Sequence, residues 1–140
     1  MELKRIQRLE KELPAETNLI TGVVVDAAYT VHKKMGPGLL EGIYESCMAR
    51  ELKKRKVAFE RQKAVSVFYD GEPLDEKLRI DLMIEEKVVV ELKAVESVLP
   101  IHEAQLLTYL KITGREIGLL LNFNVRWIKN GIRRVALPRS

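Results

Sequence analysis

The stretch Arg79-Ile80-Asp81-Leu82-Met83-Ile84-Glu85-Glu86-Lys87-Val88-Val89-Val90-Glu91-Leu92-Lys93 decides the fold. Two apolar runs flank the charged triplet Glu85-Glu86-Lys87, which predicts a hairpin. Val88-Val89-Val90 and Leu92 read as a strand buried on both faces. Set into that strand are Glu91 and Lys93, and into its partner Asp81. Charged groups in such surroundings cost free energy unless they are paired or bind a cation. Side chains alternate along a strand, so Glu91 and Lys93 project from one face. An acid and a base side by side in an apolar strand suit metal-assisted hydrolysis.

Loop length determines whether Asp81 joins them. A three-residue loop pairs Ile84 with Val88 and sets Asp81 directly opposite Glu91, with Cβ atoms roughly 4.5–5.5 Å apart. A two-residue loop opposes Asp81 to Val90 and sends the two acids to opposite faces. Carboxylates that close raise each other's pKa unless a cation lies between them. An isolated Glu-x-Lys would be an ordinary surface pair. The flanking apolar runs and Asp81 argue for a site instead.

Working outward, Leu3, Ile6, Leu9 and Leu13 recur at helical spacing before Pro14. Residues 1–16 are therefore expected to form an N-terminal helical arm, for homo-oligomerisation or docking into a larger complex, or else a frayed terminal helix. Residues 17–140 are expected to form a single domain. Thr17 or Asn18 is placed to cap a helix running to Met35, with Gly36-Pro37-Gly38 as a rigid turn. A further helix is predicted over Leu39 to Arg55, with Leu40, Ile43, Tyr44, Cys47, Met48 and Leu52 on one side. The period then changes to two from Ala58 to Tyr69, and Asp70-Gly71 supplies a hairpin turn. Pro100 opens a helix that ends at Gly114 and turns Ile101, Ala104, Leu107 and Leu110 inward. Ile117 to Phe123 is a short strand, and Ile132 to Val135 an edge strand. This order predicts an α/β domain, a mixed β-sheet flanked by helices.

At 140 residues and 46% hydrophobic, the chain suits one core. Its 24 basic and 20 acidic residues give a net charge of +4, with a pI near 9.2. That balance favours nucleic acid without selecting it. The basic clusters Lys33-Lys34 and Lys53-Lys54-Arg55-Lys56 end helices, where cations favour the dipole in any case. A single cysteine, Cys47, excludes an internal disulfide and fits a cytoplasmic protein. The charged N-terminus is no signal peptide. No apolar run approaches the ~20 residues of a membrane span.

The helix after the Glu91–Lys93 strand places His102, Gln105 and Tyr109 on one stripe. There a Gln could orient Lys93, and a Tyr could hold a phosphate oxygen. Glu41 and Glu45 read either as an acidic first turn or, for Glu41, as a further acid at the metal site. His32 reads as a helix-surface histidine.

Four blocks carry a resemblance: Gly38-Leu39-Leu40-Glu41-Gly42-Ile43-Tyr44, Arg79-Ile80-Asp81, Val90-Glu91-Leu92-Lys93-Ala94-Val95, and His102-Glu103-Ala104-Gln105-Leu106-Leu107-Thr108-Tyr109. Over about residues 18–135 the chain resembles the GxxExxY family, a branch of the PD-(D/E)XK nuclease superfamily. Its Gln-x-x-x-Tyr element is similar to that of RecB-type nucleases. The resemblance implies a restriction-endonuclease-like core with Asp81, Glu91 and the backbone carbonyl of Leu92 binding Mg²⁺ or Mn²⁺. Lys93 would position water or steady the developing charge, Glu41 would be the helical acid, and Gln105 and Tyr109 would be the supporting pair. Ile80 departs from the proline of the superfamily's name. The implied activity is Mg²⁺-dependent phosphodiester hydrolysis on nucleic acid, DNA in particular. The alternative is a non-catalytic module that keeps the fold and binds nucleic acid or protein.

Overall fold

A computed structural model describes residues 15–138. Residues 1–14 of the expected arm lie outside the described residues. Helix α1 spans Ala15–Met35 and α2 spans Glu41–Lys54. The strands follow as β1 (Phe59–Tyr69), β2 (Glu72–Ile84) and β3 (Val88–Lys93). Then come α3 (Pro100–Thr113), β4 (Ile117–Asn122), a 3-10 turn at Ile128–Gly131 and β5 (Ile132–Ala136). Thr17 and Asn18 both lie within α1, Thr17 buried, so neither caps it.

The sheet runs in the order β1-β2-β3-β4-β5. Every neighbouring pair is antiparallel except β3–β4. A parallel pair needs a long crossover, and α3 supplies it. The sheet lies between two helical layers. On one side α1 and α2 bury Val24, Ala28, Tyr44, Met48 and Leu52 against Leu82, Ile84, Val88, Val90, Leu92, Leu119 and Leu121. On the other, Leu106 and Leu110 of α3 pack on Ile80, Met83, Val89 and Leu120. Gly118 permits that approach, since a Cβ there would lie 2.8 Å from the Leu106 side chain.

Three expectations are corrected in detail. The buried stripe of α2 is Tyr44, Met48, Ala49, Glu51 and Leu52, while Leu40 is 77% exposed because it precedes the helix. Helix α3 buries Leu106 and Leu110, leaving Ile101 in solvent. The regular alternation of β1 breaks at Gln62, whose φ is +49°. Ile80 and Leu82, two residues apart on β2, serve opposite layers. So do Phe59 and Val65 on β1, which pack against different cores. The β1–β2 ladder lacks a regular pair between Arg61–Leu82 and Lys63–Ile80, the place where Gln62 meets Asp81. The two strands turn over at this point, and the candidate site is built there.

Candidate active site

Strand β3 pairs with β2 through Leu82–Val90, Met83–Val89 and Ile84–Val88, the register of the three-residue loop. Continuing it sets Asp81 across from Glu91. Here the main-chain ladder gives way to bonds made by the two acids. Leu92 N–H donates to Asp81 Oδ2 at 2.9 Å, and Asp81 N–H donates to Glu91 Oε1 at 3.3 Å. Backbone donors in a core must find partners, so each carboxylate is oriented by the opposite strand. The Gln62 side-chain amide donates to Asp81 Oδ1 at 3.1 Å and also to Glu45. Glu45 is held in turn by Arg61 at 3.0 Å.

Alternation places Glu91 and Lys93 on the face of Val89, toward α3. Glu91 is only 6% exposed. Burial, and next the charge of Asp81, push its carboxyl up to about 8, against the pull of the Asp81 N–H and of Lys93. Tyr109 of α3 is raised by burial and then by Glu91 and Asp81. From the opposite layer, Glu41 at the start of α2 is raised by burial and then by Asp81, and lowered by Lys93. Asp81, Glu91, Lys93, Glu41 and Tyr109 thus share one electrostatic neighbourhood where both helical layers reach the splayed strands. Gln105, one turn before Tyr109, is exposed, and it makes no hydrogen bond to Lys93 among the described residues. His102 caps α3: its Nδ1 accepts the Leu99 N–H at 3.0 Å.

Acidic groups gather here without a cation in contact. Among the described residues neither Asp81 nor Glu91 forms an ion pair within 4.0 Å. The donors are carboxylate oxygens, the chemistry that Mg²⁺ and Mn²⁺ prefer. No three His, Cys, Asp or Glu side chains among the described residues form a complete cage. The two opposed carboxylates offer a cation an open arrangement, in which Mg²⁺ keeps part of its hydration shell.

The supporting roles of several residues escaped the sequence reading. The Tyr44 hydroxyl donates to the Gly36 carbonyl at 2.6 Å and accepts the Leu39 N–H at 3.1 Å. Its ring stacks on Phe123 at 4.6 Å. It therefore clamps the loop that delivers Glu41, a loop containing Gly38 at φ +94°. Asn122, opposite Lys93 on β4, receives the Val95 N–H at 3.0 Å and donates to the Val95 carbonyl at 2.9 Å. That pins the chain just beyond Lys93. The spacing of Gly38, Glu41 and Tyr44 was the one available signal for the clamp. Nothing local marked Gln62.

A mixed five-stranded sheet between helical layers, with acids opposed between β2 and β3, defines the restriction-endonuclease-like α/β class. The model of the PD-(D/E)XK nuclease superfamily matches residues 18–135, and the chain belongs to that superfamily. Its nucleases typically work with divalent metals. The fold is also similar to the solved structure titled "Crystal structure of SSO0001", with a TM-score of 0.53 and 24% identity. That likeness covers 71% of this chain and 52% of the other, so the chain spans about half the length of the protein it matches. No curated protein matches the chain. No helix among the described residues is long and apolar enough to cross a membrane.

Proposed function

We infer that the protein is a Mg²⁺- or Mn²⁺-dependent phosphodiesterase acting on nucleic acid, DNA in particular, in the cytoplasm. Its resemblance to the GxxExxY branch belongs to the same reading. The observation that carries it is the Asp81–Glu91 pair, two acids opposed across β2 and β3 with Lys93 on the face of Glu91. Nature rarely keeps opposed carboxylates in a core without a use for them.

Asp81, Glu91 and the Leu92 carbonyl would hold the cation, which when bound lowers the pKa of a water and offsets phosphate charge. Asp81 is kept in place by the Leu92 N–H and Gln62. The Lys93 ammonium adds positive charge where the transition state gains negative charge. Tyr109 offers a hydroxyl on the same side, and Gln105 an exposed amide, for phosphate oxygens. Glu41 would add a further acid, and it follows directly on the loop that the Tyr44 hydroxyl clamps.

The test is cleavage of a labelled panel of single-stranded, duplex and branched DNA with Mg²⁺, Mn²⁺ or chelator. Lys93→Ala should abolish cleavage and leave metal binding intact, because the ammonium is not a ligand. Gln105→Ala and Tyr109→Phe should slow cleavage less. No cleavage by the parent with either metal would favour the non-catalytic binding module.

A further inference from the structure

Away from the acids, the C-terminal end of α1 and the segment after β4 enclose a cleft of about 540 Å³. Such a volume is ample for a small ring system. The cleft is built rigidly. His32, buried and not at the helix surface as the sequence suggested, donates from Nε2–H to the Val125 carbonyl at 2.7 Å. Gly131 lets the 3-10 turn sit against β4, since a Cβ there would lie 2.0 Å from the Asn122 carbonyl oxygen. Tyr29, Pro37 and Trp127 supply flat and apolar walls, and Lys33, Arg126 and Lys129 supply charge. Among the described residues no carboxylate lines the cleft. The Arg126 guanidinium lies 5.1 Å from the centre of the Trp127 ring, yet Trp127 remains 58% exposed.

We propose that this cleft holds one base of a single-stranded nucleic acid stacked on Trp127, with the adjoining phosphates on Lys33, Arg126 and Lys129. Aromatic rings interleaved with cations are what a single strand requires: a π-face for the base and positive charge for the backbone. An acidic peptide would match the charge and leave the rings without a planar partner. Position supports the same occupant. Gly36 and Pro37 line the cleft, and Glu41 stands four residues further on, within about 14 Å even for an extended chain. The loop between them is the one Tyr44 clamps. A strand seated in the cleft would reach Asp81 and Glu91 within a few nucleotides. That last relation rests on the nuclease reading, whereas binding in the cleft does not.

Trp127 is the chain's only tryptophan, so its fluorescence reports on the cleft alone. The full chain and its Asp81→Asn variant are titrated in chelator with short oligo-dT and oligo-U. Saturable quenching in both proteins, weakening as salt rises, is the expected result, and the two arms rank DNA against RNA. By anisotropy of a labelled strand, Trp127→Ala should weaken binding about fivefold or more, with Trp127→Phe recovering most of it. Lys129→Glu, at an exposed position, should weaken binding and flatten the salt dependence, whether or not Trp127→Ala folds. Absence of quenching, unchanged affinity in Trp127→Ala and Lys129→Glu, or equal quenching by an oligoglutamate peptide would each overturn the proposal. Quenching in a parent that cleaves nothing would refute the nuclease and spare the cleft. Cleavage with no quenching would do the opposite.

Discussion

Replacing Glu91 by Gln should remove a pH-dependent loss of stability that the parent carries. A carboxyl whose folded pKa is raised contributes its stability below the unfolded value and loses it as pH rises through the folded value. For Glu91 those limits are 4.5 and about 8. At about 1.4 kcal/mol per pH unit, the interval sets a ceiling of about 5 kcal/mol. Half the ceiling would still move the melting temperature by about 10 °C in a domain of this size. The substituted amide would mimic the protonated acid, accepting the Asp81 N–H and carrying no charge. Thermal melts of parent and Glu91→Gln in chelator, from pH 5 to pH 8.5, should nearly coincide at the acid end and separate as pH rises, the parent falling. Mg²⁺ at pH 8 should return stability to the parent alone. Parallel profiles across the range would refute the reasoning, because the charge of a buried Glu91 opposite Asp81 would then cost nothing.

Asp81→Asn should leave the metal-free protein as stable as the parent or more so, and should abolish stabilisation by Mg²⁺. For a dissociation constant near ~1 mM and ~10 mM metal, the parent should gain roughly 1.4 kcal/mol, or about 3–6 °C, and equal shifts in both proteins would exclude a site at Asp81. Tyr44→Phe removes the bonds to Gly36 and Leu39 and should cost about 1–3 kcal/mol in denaturant melts. It should also slow any metal-dependent cleavage through the loosened approach to Glu41, without weakening metal binding. Gly118→Ala drives a methyl into Leu106 and should destabilise by about 1–3 kcal/mol, while Gly22→Ala, inside α1 with open space around it, should stabilise by about 0.5–1 kcal/mol.

Much of the centre was legible without coordinates. The parity of Glu91 and Lys93 follows from strand geometry, and the three-residue loop at Glu85-Glu86-Lys87 gave the register that brings Asp81 opposite Glu91. The turn at Asp70-Gly71, the stop at Gly114 and the alternation of helices and strands were likewise written in local chemistry. The surroundings of Asp81 were not. Counted from the turn pair Tyr69–Glu72, Asp81 should face Glu60, a like charge. Between Phe68–Pro73 and Ser66–Lys77, β2 takes up two more residues than β1, and this slip brings Asp81 to Gln62, a donor. The left-handed backbone at Gln62 then turns both strands over, so that Ile80 and Leu82 enter different cores. Periodicity also failed for Leu40, Ile101 and His32, whose burial depends on where a helix ends and what crosses it. The division has a physical cause. Alternation and turn chemistry act between near neighbours and are encoded where they act, whereas a bulge, a choice between two apolar layers and a contact 93 residues away in sequence are settled by long-range packing, which no local pattern records.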